Sequence, residues 1–135
     1  MATVEFDKTA FEAAIVADNT FVIVDFWAEW CGPCRQFAPI FERVSDKHPD
    51  ITFAKVDTDK EQELSAMAGI KSIPTLMMFR DGVLLFNQAG AAPESALEDI
   101  IAQARALDMD AIRAELAATA TSAELGPETD ALPLP

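Results

Sequence analysis

Apolar residues along this chain follow two spacings, and each spacing predicts an element. Residues 3–6 open as a short strand, after which Phe11, Ala14 and Ile15 recur at helical intervals. Residues 21–27 read Phe21-Val22-Ile23-Val24-Asp25-Phe26-Trp27, nearly all apolar and β-branched or aromatic, the composition of a central strand covered on both faces. Phe37, Ile40, Phe41 and Val44 fall at i, i+3, i+4 and i+7, which gives the next helix one buried stripe. His48-Pro49 ends that helix. Pro39 lies inside it and should kink it, because proline lacks an N–H and crowds the preceding turn.

Residues 51–56 read as a strand, 62–68 as a short helix stopping near Gly69, and 75–79 as another strand. Asp81-Gly82 makes a hairpin turn into a strand over 83–86. Pro93 opens a last helix at a first-turn position that tolerates proline, with Leu97, Ile100, Ile101 and Ala104 on its core face. The order βαβαβαββα, with parallel strands joined by helices and closed by an antiparallel hairpin, is an α/β fold. Beyond it, Met109, Ile112 and Leu116 predict a short amphipathic helix over 108–118, with Asp108 as N-cap and Leu107 and Ile112 as a hydrophobic staple. Residues 119–135, rich in Ala, Thr, Glu and Pro, read as a flexible acidic tail.

Composition narrows the function classes. At 135 residues, half of them hydrophobic, the chain suits one domain with a sizeable core. Its formal charge is −13, which argues against nucleic acid and anionic lipid surfaces, since both attract clustered Lys and Arg. Residues 108–135 hold six acidic residues and one basic one, so they carry −5 of that charge, and the rest is still acidic. The opening Met1-Ala2-Thr3-Val4-Glu5-Phe6-Asp7 lacks the basic-then-apolar order of a signal peptide. No apolar stretch is long enough to span a bilayer. The expected location is the cytoplasm, a reducing compartment in which a cysteine pair reads as catalytic instead of structural.

Both cysteines lie in Cys31-Gly32-Pro33-Cys34. A disulfide needs its Cα atoms within about 7 Å, and Cys-x-x-Cys at a helix start meets that limit with little backbone motion. A structural zinc site wants four ligands. Outside the motif the chain offers only His48, which leaves for zinc only a site shared between chains, and no metal is expected. A catalytic Cys–His pair would leave the second cysteine without a role. A thiol at a helix N-terminus is favoured as thiolate by the unpaired N–H groups and the helix dipole, so Cys31 should be the nucleophile. Cys34, one turn further in, should resolve the mixed disulfide. Gly32 permits a tight turn and Pro33 fixes φ in the first helical turn. Neither carries charge, which favours reduction of targets over their oxidation.

The segment Phe26-Trp27-Ala28-Glu29-Trp30-Cys31-Gly32-Pro33-Cys34 closely resembles the active-site segment of thioredoxins, and Ser72-Ile73-Pro74-Thr75 continues the resemblance, which covers roughly residues 1–107. It implies a thioredoxin fold, a central mixed sheet of about five strands flanked by helices. It also implies a general protein disulfide reductase that passes two electrons from the Cys31/Cys34 dithiol to target disulfides. Asp25, a carboxyl in an apolar strand whose pKa should rise on burial, matches the family's buried aspartate, the proton acceptor for the resolving cysteine. Lys55 matches the lysine near that aspartate. The alternatives are a solvated strand-end carboxylate at Asp25 and a solvated Lys55 whose stem covers the sheet.

By the same resemblance the Ile73-Pro74 bond is cis and lies beside the disulfide. Exposed backbone at Ile73 could pair with an extended target segment, and Trp30, Gly32, Pro33, Ile73, Pro74, Gly90 and Ala91 would form the substrate surface. Gly90-Ala91 is equally what a loop before a helix contains. Trp27 should pack beside the site, His48 should end its helix, and Met67, Met77, Met78 and Met109 should fill the core. The acidic pairs Asp57/Asp59 and Glu61/Glu63 read as a solvated face. The chain has no Gly-rich dinucleotide fingerprint, so no cofactor of its own is expected. The resemblance implies regeneration by an NADPH-dependent flavoprotein thioredoxin reductase. Its implied targets include ribonucleotide reductase, methionine sulfoxide reductase and peroxiredoxins, met by a monomer. Two other readings stay open: a thiol-disulfide oxidase or isomerase, which Gly32-Pro33 disfavours, and a redox-active binding or chaperone-like subunit without turnover.

Overall fold

The computed structural model describes residues 2–125, with side chains through residue 118. Five strands and five helices follow one another as β1 (Thr3–Glu5), α1 (Lys8–Val16), β2 (Phe21–Trp27), α2 (Gly32–Lys47), β3 (Thr52–Asp57), α3 (Gln62–Met67), β4 (Thr75–Arg80), β5 (Val83–Ala89), α4 (Glu94–Arg105) and α5 (Met109–Leu125). The sheet order is β1-β3-β2-β4-β5. β3 runs parallel to both β1 and β2, whereas β4 is antiparallel to β2 and to β5. This is the mixed five-stranded sheet flanked by helices that the sequence implies.

β2 occupies the middle of the sheet, where both faces must be covered, and Phe21 through Phe26 are all buried. Alternating side chains point to opposite faces. Phe21 and Ile23 join Phe37, Phe41 and Val44 of α2 and Leu97 and Ile101 of α4 in one core. Val22, Val24 and Phe26 join Phe11 of α1 and Leu64 of α3 in the other. Phe41 is fully buried and meets Phe53 edge-on, with ring centroids 5.3 Å apart. Truncating such a ring to Ala removes both contact and transfer energy, about 3–5 kcal/mol. By alternation Asp25 shares the α2/α4 face with Ile23, and in the sheet it is flanked by Lys55 of β3 and Leu76 of β4.

The helix ends follow capping chemistry. The Asp7 carboxylate accepts a hydrogen bond from the Ala10 N–H at 2.8 Å and caps α1. Pro39 lies within α2, which continues through it to Lys47. His48 is the C-cap of α2, and its ring also engages Glu98 at 2.7 Å and Arg105 at 2.9 Å. β5 runs three residues past the expected end at Phe86, to Ala89, because an edge strand tolerates polar Asn87 and Gln88. Met77 and Met78 are core residues, but Met67 is 60% exposed. The short α3 buries only Leu64 and Ser65, and Met67 falls on its open side.

The first compact unit ends at Arg105 and the second begins at Ala106. In the second, the Asp108 carboxylate accepts from the Ala111 N–H at 3.1 Å, the N-cap its sequence predicts. α5 extends to Leu125, beyond the expected end at residue 118. Alanine has the highest helix propensity of any residue, and it outweighs Thr119, Thr121 and Ser122 there. The remainder of the expected tail, residues 126–135, lies outside the described residues.

Candidate active site

β2 delivers the chain to the mouth of the sheet at Trp27, and the Thr58 N–H bonds the Trp27 carbonyl at 2.9 Å. From there residues 28–31 turn into α2, the Cys31 N–H donating to the Ala28 carbonyl at 3.2 Å. Cys31 is the N-cap of α2, with Pro33 in its first turn. Cys31 and Cys34 are joined in a disulfide with Cα atoms 5.2 Å apart, inside the span such a bond requires. The Cys34 N–H points at Cys31 Sγ at 3.2 Å, so this sulfur occupies the place of a capping oxygen. Both cysteines are buried, but their partners differ. The helix N-terminus is aimed at Cys31, and the Ile73 carbonyl oxygen lies 3.7 Å from the same sulfur.

The second wall comes from residues 72–75. The Ile73-Pro74 peptide is cis. Thr75 Oγ1 donates to the Ser72 carbonyl at 2.6 Å and pins the turn. Ile73 packs against the cluster formed by Ala28, Cys31 and Cys34. The Gly90 N–H bonds the Pro74 carbonyl at 2.7 Å, which brings the 89–92 loop alongside. Gly90 has φ +106°, a region costly for any residue with a Cβ. Trp30, Pro33, Gly90 and Ala91 are exposed, while Gly32 and Ile73 are half-buried.

Asp25 lies on β2 two residues before Trp27 and is only 1% exposed. Neither of its carboxylate oxygens has a hydrogen-bond partner among the described residues. Desolvation disfavours the charged form and pushes the Asp25 pKa up to about 7, against a smaller downward pull from the Lys55 ammonium. Lys55 is the register partner of Asp25, is half-buried, and lies over the Trp27 ring at 4.6 Å from the centroid. Lys55 is therefore not a fully solvated lysine. Its charge rests on an indole face and acts on the buried carboxyl through the field alone, with no hydrogen bond between them.

One contact has no local signal in the sequence. Asp59 is not merely part of a solvated face, because its carboxylate accepts from the Trp30 indole N–H at 3.0 and 3.3 Å. Trp30 is 68% exposed, and this bond fixes the orientation of the largest apolar side chain beside Cys31. The partners are far apart in sequence, and only the parallel pairing of β2 with β3 brings the loops that follow them together. Arg35 closes the same turn by donating to the Glu29 carbonyl at 2.8 Å. No group of three or more metal-ligating side chains occurs among the described residues.

The thioredoxin family model, described simply as Thioredoxin, matches residues 2–103 of this chain. The chain belongs to the thioredoxin family. A thioredoxin 2 of Streptomyces coelicolor is 53% identical over 116 residues, 86% of each chain. Thioredoxin 1 of Synechococcus elongatus is 40% identical over 66% of this chain and 94% of its own. Among solved structures, Plasmodium falciparum thioredoxin superposes with a TM-score of 0.67 at 35% identity, over 75% of this chain and 97% of that one. Family membership and a Cys-x-x-Cys pair at disulfide distance make this chain a thiol-disulfide oxidoreductase, with the geometry of a protein disulfide reductase.

Proposed function

We propose that the chain is a general protein disulfide reductase in which Cys31 attacks and Cys34 resolves. The observation that carries the reading is the aim of the α2 N-terminus at Cys31 Sγ, with the Cys34 N–H 3.2 Å away. In the reduced form that arrangement favours a Cys31 thiolate. The thiolate attacks one sulfur of a target disulfide, forming a mixed disulfide and expelling the other sulfur as a thiolate that takes a proton from water. Cys34 then loses its thiol proton and attacks Cys31 Sγ. The Cys31–Cys34 bond forms, the mixed disulfide breaks, and the second target sulfur leaves and is protonated. Two electrons pass to the target.

Asp25 accepts the Cys34 proton in this scheme. Its pKa of about 7 suits transfer near neutral pH, because an acceptor works best when its pKa lies near the operating pH. Lys55 limits how far burial can raise that pKa. An extended target segment pairs with the Ile73 backbone beside Pro74 and rests on Trp30, Gly32, Pro33, Gly90 and Ala91.

The oxidised pair is regenerated by an NADPH-dependent flavoprotein thioredoxin reductase, which supplies the electrons this chain transports. Its targets are disulfide proteins such as ribonucleotide reductase, methionine sulfoxide reductase and peroxiredoxins, met in the cytoplasm by a monomer. The deciding experiment is insulin reduction with NADPH and a thioredoxin reductase. Turnover abolished by Cys31→Ser supports the reductase. Tight binding of partners without turnover, through the exposed Trp30 face, would instead favour a binding or chaperone-like subunit.

A further inference from the structure

Lys55 is bordered by three carboxylates, yet its ammonium lies over an aromatic ring. Asp25 of β2 and Glu5 of β1 are its register partners on either side, and Asp57 stands two residues further along its own strand, on the same face by alternation. Neither Asp25 oxygen has a hydrogen-bond partner among the described residues. The Asp57 carboxylate accepts instead from the N–H groups of Asp59 and Lys60, at 2.9 and 3.4 Å. Glu5 is exposed, where water screens its charge. The ammonium rests 4.6 Å from the centroid of the Trp27 ring. Trp27 follows Asp25 by two residues on β2, so both side chains share a face, and Lys55 reaches the ring by leaning along the strand instead of straight across it. Packing sets that ring: it lies against the cluster of Ala28, Cys31 and Cys34, and its N–H has no hydrogen-bond partner among the described residues.

We propose that Trp27 is a positioning residue whose indole face holds the Lys55 ammonium off the Asp25 carboxyl. Register alone favours the direct pair, because cross-strand partners of opposite charge attract. That pair would draw the ammonium after the carboxyl into the core, at a cost in desolvation. The indole offers the cation a partner where Lys55 is only half-buried, through the negative face of the ring. Nothing else on this face competes for the lysine. β4 presents Leu76 beside Asp25, and the core side chains of α2 and α4 on this side, Phe37, Phe41, Val44, Leu97 and Ile101, are uncharged. Asp25 therefore feels the lysine without pairing with it, and burial stays the larger influence on its carboxyl. The consequence for the reaction rests on the reading of Asp25 as acceptor of the Cys34 proton. An ion-paired carboxylate is a weaker base near neutral pH, so by keeping the pair apart Trp27 keeps the acceptor strong.

The test follows the Asp25 carboxyl carbon by NMR against pH in the full, disulfide-bonded chain. Trp27→Leu has no ring face, and its titration midpoint should fall by about one pH unit or more as Lys55 closes on Asp25. Trp27→Phe keeps a ring and should lower the midpoint less. In a Lys55→Met background, Trp27→Leu should no longer lower it. An unchanged midpoint in Trp27→Leu overturns the proposal. So does an equal fall with and without Lys55, because the ring would then act by burial alone. If a variant fails to fold, the unsubstituted protein still decides: its Lys55 Hε protons should be moved upfield by the ring current of Trp27, and random-coil positions for them overturn the proposal. The rate of target release from a preformed mixed disulfide, measured against pH, tests the underlying reading separately. A midpoint that falls by NMR while the rate profile stays in place supports the hold of Trp27 on Lys55 and removes Asp25 as the proton acceptor.

Discussion

Asp25 and Lys55 are register partners on adjacent parallel strands, yet the carboxyl is 1% exposed while the ammonium escapes over the face of Trp27. The sheet thus buries an acid whose carboxylate oxygens have no hydrogen-bond partner among the described residues, with the lysine charge set against the indole. Desolvation wins over the attraction of Lys55, and the pKa of Asp25 rises from 3.8 to about 7. A folded-state pKa above the unfolded value means that the native protein holds this proton more tightly. The penalty is absent below pH 3.8, grows as pH rises, and is complete above pH 7.

Asp25→Asn should therefore stabilise the fold at high pH, by roughly 4 kcal/mol if the whole shift is recovered, at about 1.4 kcal/mol per unit. The gain should vanish below about pH 4. Urea unfolding of both proteins at pH 4, 6 and 8 reads the difference, and a constant gap across that range would place Asp25 in solvent. Because the same substitution removes the proton acceptor, target release near pH 7 should slow while stability increases.

Lys55→Met removes the cation that holds the Asp25 pKa down. The Asp25 carboxyl should then titrate above its value in the unsubstituted protein. Following the Asp25 side-chain carbon by NMR checks this directly. A titration that moves downward or not at all would remove Lys55 from the electrostatics of the site.

Asp59→Ala should release the Trp30 indole while leaving the fold almost unchanged, since an exposed charged contact contributes about 1 kcal/mol or less. The expected signature is a rise of a few-fold in KM for insulin together with lower fluorescence anisotropy from Trp30, measured with Trp27→Phe as background. Unchanged KM would show that Trp30 needs no positioning partner.

Every residue proposed for the reaction lies within Met1–Arg105. A chain cut after Leu107 should keep insulin reduction at the level of the full chain. Loss of turnover in a truncated protein that still unfolds cooperatively would assign α5 a part in the activity.

The legible parts of this molecule were those in which the cause is local. The run through β2 is apolar on both faces because it is central, and the α2 stripe of Phe37, Phe41 and Val44 is the face it buries. The cysteine spacing follows from one helical turn. Contacts between distant segments carry no such pattern. Trp30 finds Asp59, and His48 joins Glu98 and Arg105, only after the strands are paired. The cis bond at Ile73-Pro74 could not be read from its own residues, since X-Pro bonds are cis in only about 5–6% of cases; the resemblance supplied it. The polar end of β5 and the alanine-rich end of α5 escaped because alternation is weak at a sheet edge and Thr and Ser read as a stop. Neither error touches the site.

The central claim is the unequal division of labour between the two cysteines, and trapping on non-reducing gels tests it most directly. Reduced beforehand and incubated with a cell extract whose target proteins are in the disulfide form, Cys34→Ser should accumulate mixed disulfides with those targets, because Cys31 still attacks and no second thiol releases the product. Cys31→Ser should accumulate none. Equal trapping by both variants, or trapping by Cys31→Ser alone, would contradict the assignment of Cys31 as the attacking sulfur.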